Sequence, residues 1–238
     1  MSRGTVYLVP NLLGQLPPEA VLPTHTLAVA RTLRHWVVET EKPARAFLKT
    51  IAHPTPIAQL RIMPLPPNAD ADVAPLLAPA LDGADVGLLS DAGCPGVADP
   101  GARLVAAAHA AGVRVVPLVG PSSLLLALMA SGMNGQSFAF HGYLPVAMPE
   151  RIAALKRLED DSRLHRRAQL FIETPYRNAP MIESLAQALR GDTVVCVACD
   201  LTLPGETIER RTAAAWGKED AGRFAKRPAI FVLQAAGR

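Results

Sequence analysis

The chain has 238 residues and a formal net charge of +3; half of its residues are hydrophobic, 19% are charged and 5% are aromatic. That balance excludes a disordered chain, and the scarcity of aromatics beside abundant alanine, leucine and valine favours α/β over a β-sandwich. At roughly 100–200 residues per domain the length makes one large domain or two small ones, and the mild positive charge admits a nucleic-acid partner without requiring one.

In chain order, residues 5–9 (TVYLV) form a short β-branched apolar run stopped by Pro10 and Gly14, which reads as a buried strand. Residues 24–33 have helical character with Thr24 as N-cap. Residues 35–39 read as a second strand and 44–51 as a short helix. The proline-rich stretch 53–69 has no assigned structure. Residues 72–81 read as helical despite Pro75 and Pro79. A third strand, 85–90, runs into the loop SDAGCPGVADPG. After it, Asp99 as N-cap, Pro100 as N1 and Gly112 as C′ frame a helix. Residues 113–118 are the next strand. This strand–helix alternation predicts a parallel, doubly wound sheet.

Gly120-Pro121 then punctuates the chain. Beyond it, residues 122–131 read as an apolar helix, 138–145 as a strand and turn, and 150–158 as a helix with basic residues. Residues 168–173 read as a strand, and a helix begins at Thr174-Pro175 and runs to about 189. Residues 193–198, 206–212 and 228–235 read as strands. The expected division is an N-terminal α/β domain over residues 1–118 and a C-terminal α/β domain over 119–238, with no repeat between them.

Three cysteines, Cys94, Cys196 and Cys199, are too few and too odd for a disulfide framework. The C-x-x-C pair lies in an apolar run rather than at a helix start, and no second ligand pair completes a zinc site. Core packing is the expected role, with no metal. No secretory signal is evident. The apolar stretch near 121–132 is too short to span a bilayer. A soluble cytoplasmic protein without membrane association is the expectation.

The loop over residues 90–101 holds three glycines, two prolines and two aspartates at the carboxyl end of a predicted parallel strand, where open α/β sheets bind ligands. It matches neither G-x-G-x-x-G nor a Walker A sequence. Its carboxylates repel anions, so a neutral or cationic ligand rich in hydroxyl and amino groups fits better than a phosphate. A plain turn with a helix cap is the competing reading.

The segments VYLVPNLLGQL, LLSDAGCPGVADPGARLV, VRVVPLVGPSSLLLALMASG, FAFHGYLP, LFIETPYR and DLTLPGETI occur in this order over about residues 4–234. The series resembles the tetrapyrrole methylase superfamily of S-adenosylmethionine-dependent methyltransferases, closest to the branch that methylates ribose 2′-hydroxyls of small-subunit ribosomal RNA. The resemblance implies two α/β domains with S-adenosyl-L-methionine in the cleft between them, a homodimer, and RNA as partner. It assigns cofactor contacts to Pro10 of the first loop, to Asp91, Ala92, Gly93, Val97 and Ala98 of the glycine-rich loop, to Ser122 and Ser123, and to Glu173, Leu201 and Ala229 of the late strands.

The chain departs from that branch on the substrate side. NLLGQL stands where T-P-I-G-N-L is typical, Glu39-Thr40-Glu41-Lys42 stands where E-D-T-R is typical, and the chain given ends where the branch continues into a further segment. A small-molecule acceptor such as a tetrapyrrole, or a non-catalytic binding role, therefore stands beside RNA methylation. Glu39 and Asp99 are candidate bases, with no catalytic residue assigned. His141, Tyr143 and Tyr176 are candidate substrate contacts. Arg151, Lys156, Arg157, Arg163, His165, Arg166 and Arg167 form a basic stretch, and Arg31, Arg34, Arg45 and Lys49 a second patch. Solvated surface is the competing reading for both.

Overall fold

The computed structural model describes residues 2–68 and 71–237, without the Lys218 side chain. It comprises two compact units, Met1–Ser122 and Ser123–Arg238.

The first unit contains β1 (Thr5–Val9), α1 (Thr24–Thr32), β2 (His35–Val38), α2 (Glu41–Thr50), β3 (Arg61–Pro64), α3 (Ala78–Leu81), β4 (Val86–Leu89), α4 (Ala102–Ala110) and β5 (Arg114–Pro117). The strand order is β3-β2-β4-β1-β5, and every pair is parallel. Parallel strands are covered on both faces, which is why these runs are apolar almost throughout. Side chains alternate between two cores. Trp36 and Val38 join Val9, Leu27 and Phe47 on one face; Val37, Val6, Val86 and Leu88 join Leu77 and Leu104 on the other. Gly87 is needed where it stands, since a Cβ there would lie 2.7 Å from the buried Trp36 ring.

Several expectations are corrected. The proline-rich stretch contains β3, an edge strand whose Pro64 closes it at a position where no ladder donor is required. Helix α2 starts at Glu41, before Pro43, because a proline in the first turn removes only an N–H that lacks an intrahelical partner anyway. Thr24 lies inside α1, behind Pro23 at the cap position. Residues 74–77 form a 3-10 turn leading into the four-residue α3, the prolines having limited the α-helix. Asp99 does not cap α4. Gly101, at φ +133°, occupies that position, a backbone angle an L side chain resists. The far end of α4 is as expected. Gly112 donates to His109 and Val113 donates to Ala108, a Schellman closure.

The second unit contains α5 (Ser123–Ser131), β6 (Phe138–Tyr143), α6 (Met148–His165), β7 (Ala168–Glu173), α7 (Asn178–Ala188), β8 (Val194–Cys199), β9 (Thr207–Thr212), α8 (Lys218–Phe224) and β10 (Ala229–Gln234). Its sheet, β6-β7-β10-β8-β9, is mixed. β6 and β7 are parallel, while β10 runs antiparallel to β7 and β8, and β9 antiparallel to β8. One face packs on α6, α7 and α8 through Leu155, Ile182, Leu185 and Phe224. Across it Phe171 and Phe231 are cross-strand partners with stacked rings 5.3 Å apart. The polar sequence of α8 carries no strand or helix periodicity signal. Its start is set by Asp220, whose carboxylate accepts the Gly217 N–H at 3.0 Å. His141, expected in a turn, lies within β6 beside a register shift at Gly142.

No helix among the described residues is long and apolar enough to cross a membrane.

Candidate functional site

An all-parallel sheet places every strand's carboxyl end on one edge. On that edge of the first unit, the loop after β4 is tied to the loops after β1, β2 and β5. Asn11, directly after Pro10, makes the first tie. Its backbone N–H donates to the Gly93 carbonyl at 2.8 Å, and its side-chain amide donates to the Ser90 and Asp91 carbonyls at 3.0 Å each. Asn11 is 6% exposed, so these bonds act in a dry setting.

The second tie runs to the end of β2. The Asp91 N–H donates to Glu39 Oε2 at 3.0 Å. The Asp91 carboxylate accepts from the Thr40 N–H at 3.2 Å and the Thr40 hydroxyl at 2.8 Å. Thr40 is the N-cap of α2 and makes no side-chain cap bond of its own. Asp91 therefore supplies the negative charge that a helix N-terminus favours. The third tie is to the loop after β5. Cys94 Sγ donates to the Pro121 carbonyl at 3.4 Å. Gly120 passes so close to Pro10 that a Cβ would sit 2.2 Å from the proline ring. On the same loop the Thr26 hydroxyl of α1 holds the Val119 carbonyl at 2.8 Å.

These ties leave part of the loop at the surface. Ala92, Val97 and Ala98 are exposed. Gly93 and Gly96 have φ of +64° and +80°, and Ala98 reaches +66°, a conformation that costs a non-glycine residue about 1–2 kcal/mol. A cavity of about 440 Å³ lies between this loop and α2, walled by Asn11, Leu13, Gln15, Phe47, Asp91 and Ala92. Asp99 is half-buried behind the loop. Burial first, then the Glu39 and Asp91 charges, push its carboxyl up to about 6, against the opposing influence of the Ser90 hydroxyl. The released helix-cap role leaves Asp99 as a carboxylate that changes charge near neutrality.

In the second unit, register gathers residues far apart in sequence. Ala229 at the start of β10 pairs with Glu173 at the end of β7 and with Cys199 at the end of β8. Leu201, 6% exposed, follows β8 between Asp200 and Thr202, both at positive φ. The Glu173 side chain is fully buried. Its Oε1 accepts from the Thr174 N–H at 2.6 Å and pairs with Arg177 at 2.6 Å. Its Oε2 has no hydrogen-bond partner among the described residues.

Of the residues singled out in the sequence, Pro10, Asp91, Ala92, Gly93, Val97, Ala98 and Ser122 belong to the first unit, all at or next to its carboxyl edge. Ser123 opens α5 in the second, where Glu173, Leu201 and Ala229 share one edge. Sequence reasoning missed Asn11 and Thr40. The available signal was an Asn at a strand end, a residue whose short amide readily bonds nearby backbone.

The other candidates separate. Arg151 is corrected as a surface contact: it is 5% exposed and donates to Ser184 Oγ and the Val146 carbonyl. Arg167 and His165 both face Asp161. His141 Nε2 lies 2.5 Å from Gln169 Oε1. Tyr143 and Tyr176 are exposed. In the second patch, Arg31 donates to the Ile51 carbonyl and Arg45 pairs with Glu41. Cys196 and Cys199 are both fully buried, and burial raises their thiols to about 11 and 12. Three residues apart on a strand, they point to opposite faces. No group of three or more His, Cys, Asp or Glu placed to hold a metal occurs among the described residues.

This doubly wound sheet, followed by a mixed α/β unit, is a fold shared with solved proteins. The solved methyltransferase CobJ matches it with a TM-score of 0.65 at 21% identity, over 98% of this chain and 95% of that one. Uroporphyrin-III-C-methyltransferase from Thermus thermophilus matches with 0.58 at 22%, over 98% and 92%. Residues 22–216 match the model of the tetrapyrrole (corrin/porphyrin) methylases, and the chain belongs to that family. It is an S-adenosylmethionine-dependent methyltransferase by that membership. Relatives named ribosomal RNA small subunit methyltransferase I include one from Escherichia coli O157:H7, 31% identical over 226 residues, covering 93% of this chain and 75% of that protein. Another, from Xylella fastidiosa strain Temecula1, is 32% identical over 241 residues, covering 99% and 82%.

Proposed function

We propose that this enzyme methylates RNA, at a ribose 2′-hydroxyl of small-subunit ribosomal RNA, with S-adenosyl-L-methionine as donor. The observation that carries the reading is the tied loop at residues 90–101, in a chain whose relatives at 31–32% identity are named as ribosomal RNA methyltransferases. The donor set fits the cofactor. Ala92, Val97 and Ala98 are exposed, and Glu39, Asp91 and Asp99 place carboxylate charge beside them, which suits a sulfonium cation and its amino and hydroxyl groups. Pro10, Asp91, Ala92, Gly93, Val97, Ala98 and Ser122, with Ser123, Glu173, Leu201 and Ala229, are the contacts proposed.

When bound, S-adenosylmethionine supplies an activated methyl group for in-line displacement. The chain's own task is then to hold the acceptor oxygen in line and accept its proton. Glu39 is occupied with the Asp91 N–H. Asp99, held near 6, is ionised at neutral pH yet basic enough to take a proton. A cytoplasmic homodimer completes the reading.

Calorimetric titration with S-adenosylmethionine tests the first half. Saturable binding is expected, and no heat at high micromolar concentration refutes the enzyme reading. Mass mapping of ribosomal RNA from a deletion strain tests the acceptor. One ribose methyl should vanish; an unchanged map assigns another substrate. Light scattering checks the dimer.

A further inference from the structure

A cavity of about 630 Å³ opens in the second unit where α6 ends and β10 leaves the sheet. This is the opposite end of β10 from Ala229 and Glu173, so it is separate from the edge described above. Its wall includes Asp160, Ser162, Arg163, Arg166, Gln234 and Ala236. Arg163 is its unusual member. Its Nη1 donates to the Ala236 carbonyl at 3.2 Å. Its Nε and Nη2 are shielded from water and have no hydrogen-bond partner among the described residues. Shielded guanidinium donors are normally paired, since leaving them bare is unfavourable.

The acceptors of Ser162, Gln234 and Asp161 are already engaged, and the exposed Asp160 carboxylate forms no ion pair with Arg163 among the described residues. The Ser162 hydroxyl donates to the Arg167 carbonyl and accepts from the Ala235 N–H. The Gln234 side-chain oxygen accepts from the Asn134 N–H at 2.8 Å. The Asp161 carboxylate is held by Arg167, His165 and Gln169. What Arg163 lacks is an acceptor from outside, and a guanidinium fork suits the paired oxygens of a phosphate.

The surroundings favour a strand of phosphates over a lone anion. Arg166, at the αL residue that ends α6, is exposed on the cavity rim. Lys156, exposed, lies two turns before Arg163 on the same face of α6. Asp160 also lines the cavity, solvent-exposed, and is the one side-chain carboxylate in the wall among the described residues, against two guanidinium groups. We propose that this cavity binds a backbone phosphate of the RNA substrate, gripped by Arg163 with Arg166 at the mouth and Lys156 on the approach. The proposal rests on RNA being the acceptor. It gives the basic stretch of α6 a specific division of labour: Arg151 is structural, Arg167 is paired within the protein, and Arg163 and Arg166 face the ligand.

The test uses the full chain, a fluorescent short oligoribonucleotide and inorganic phosphate. Arg163→Gln should weaken oligoribonucleotide binding about tenfold and lower the slope of log affinity against log salt by about 1, one fewer counterion being released. Arg163→Lys should restore the slope without full affinity, because it returns the charge but not the fork. Arg166→Gln, on the exposed rim, should lower the slope with an unchanged melting temperature. Inorganic phosphate should raise the melting temperature of the wild type but not of Arg163→Gln, and S-adenosylmethionine titrations should be the same for both. Wild-type affinity and slope in a folded Arg163→Gln protein overturn the site. Phosphate protection that depends on Arg163, with oligoribonucleotide binding that does not, overturns the RNA assignment. Arg163-dependent binding of RNA that receives no methyl group supports this site and refutes the acceptor reading instead.

Discussion

The two sheets solve the same problem by different means. In the first unit all five strands run the same way, so their carboxyl ends necessarily reach one edge, and hydrogen bonds stitch four of the loops together there. In the second, mixed directions send strand starts and ends to the same edge, and it is register that brings Ala229 beside Glu173 and Cys199. Each unit also has one buried asparagine that donates to two carbonyls. Asn11 holds the loop after β4, and Asn178 holds the Phe224 and Arg227 carbonyls that lead into β10. A parallel sheet thus gathers residues through loops that need fastening, whereas a mixed sheet gathers them at strand ends that the ladder has already placed.

The largest expected effect comes from breaking the closest approach in the first unit. Gly120→Val would drive a side chain into the Pro10 ring and toward Leu22. It should lower stability by about 1–3 kcal/mol and weaken S-adenosylmethionine binding more than tenfold, read by urea unfolding and calorimetry. Wild-type affinity in this variant would show that the loops after β1 and β5 need not meet.

The paired asparagines sharpen the contrast. Asn11→Ala and Asn178→Ala each strip two carbonyls of a donor, and each should lose about 1–3 kcal/mol in urea unfolding. The affinity for S-adenosylmethionine should fall more for Asn11→Ala. Equal losses of affinity would mean that fastening matters as much in the second unit.

Asp99→Asn is expected to act through pH. The folded-state pKa of Asp99, about 6, lies above the ordinary aspartate value of 3.8, so protonation favours the folded chain. The penalty is absent below the lower value, grows between the two and is complete above the upper. The variant should therefore be more stable than wild type at pH 7, by about 1 kcal/mol once solvent screening is allowed for, and no more stable near pH 3.5. If Asp99 takes the ribose proton, methyl transfer also falls while cofactor binding holds. A stability difference that is constant with pH would contradict the assigned environment.

The smallest effect belongs to the second sheet's edge. Arg223 pairs with Glu209 and with Asp220, yet its side chain is 53% exposed. Arg223→Ala should cost less than about 0.5 kcal/mol, and less still in high salt. A larger loss would show that the network joining β9 to α8 acts as a unit.

How much was legible follows from where the information lies. The strands over residues 5–9 and 168–173 and the closure of α4 at Gly112 could be read directly, because apolar runs and punctuating residues are local signals. β3 was hidden because an edge strand needs little apolar sequence, and α8 because its start rests on one aspartate in a polar stretch. Asp99 was misread as a cap because Asp-Pro before a helix is a common local pattern, while Gly101's φ decides the true boundary.

By itself, then, the sequence determined an α/β chain with a glycine- and aspartate-rich loop ill-suited to phosphate, since strand burial, turn chemistry and loop charge are set within a dozen residues. Only the tertiary structure decided what fastens that loop and which cations are free. Asn11 lies 80 residues from Asp91, and Arg151 lies 33 from the Ser184 that absorbs it. Pairings of that kind arise when packing desolvates both partners together, and no local pattern encodes them.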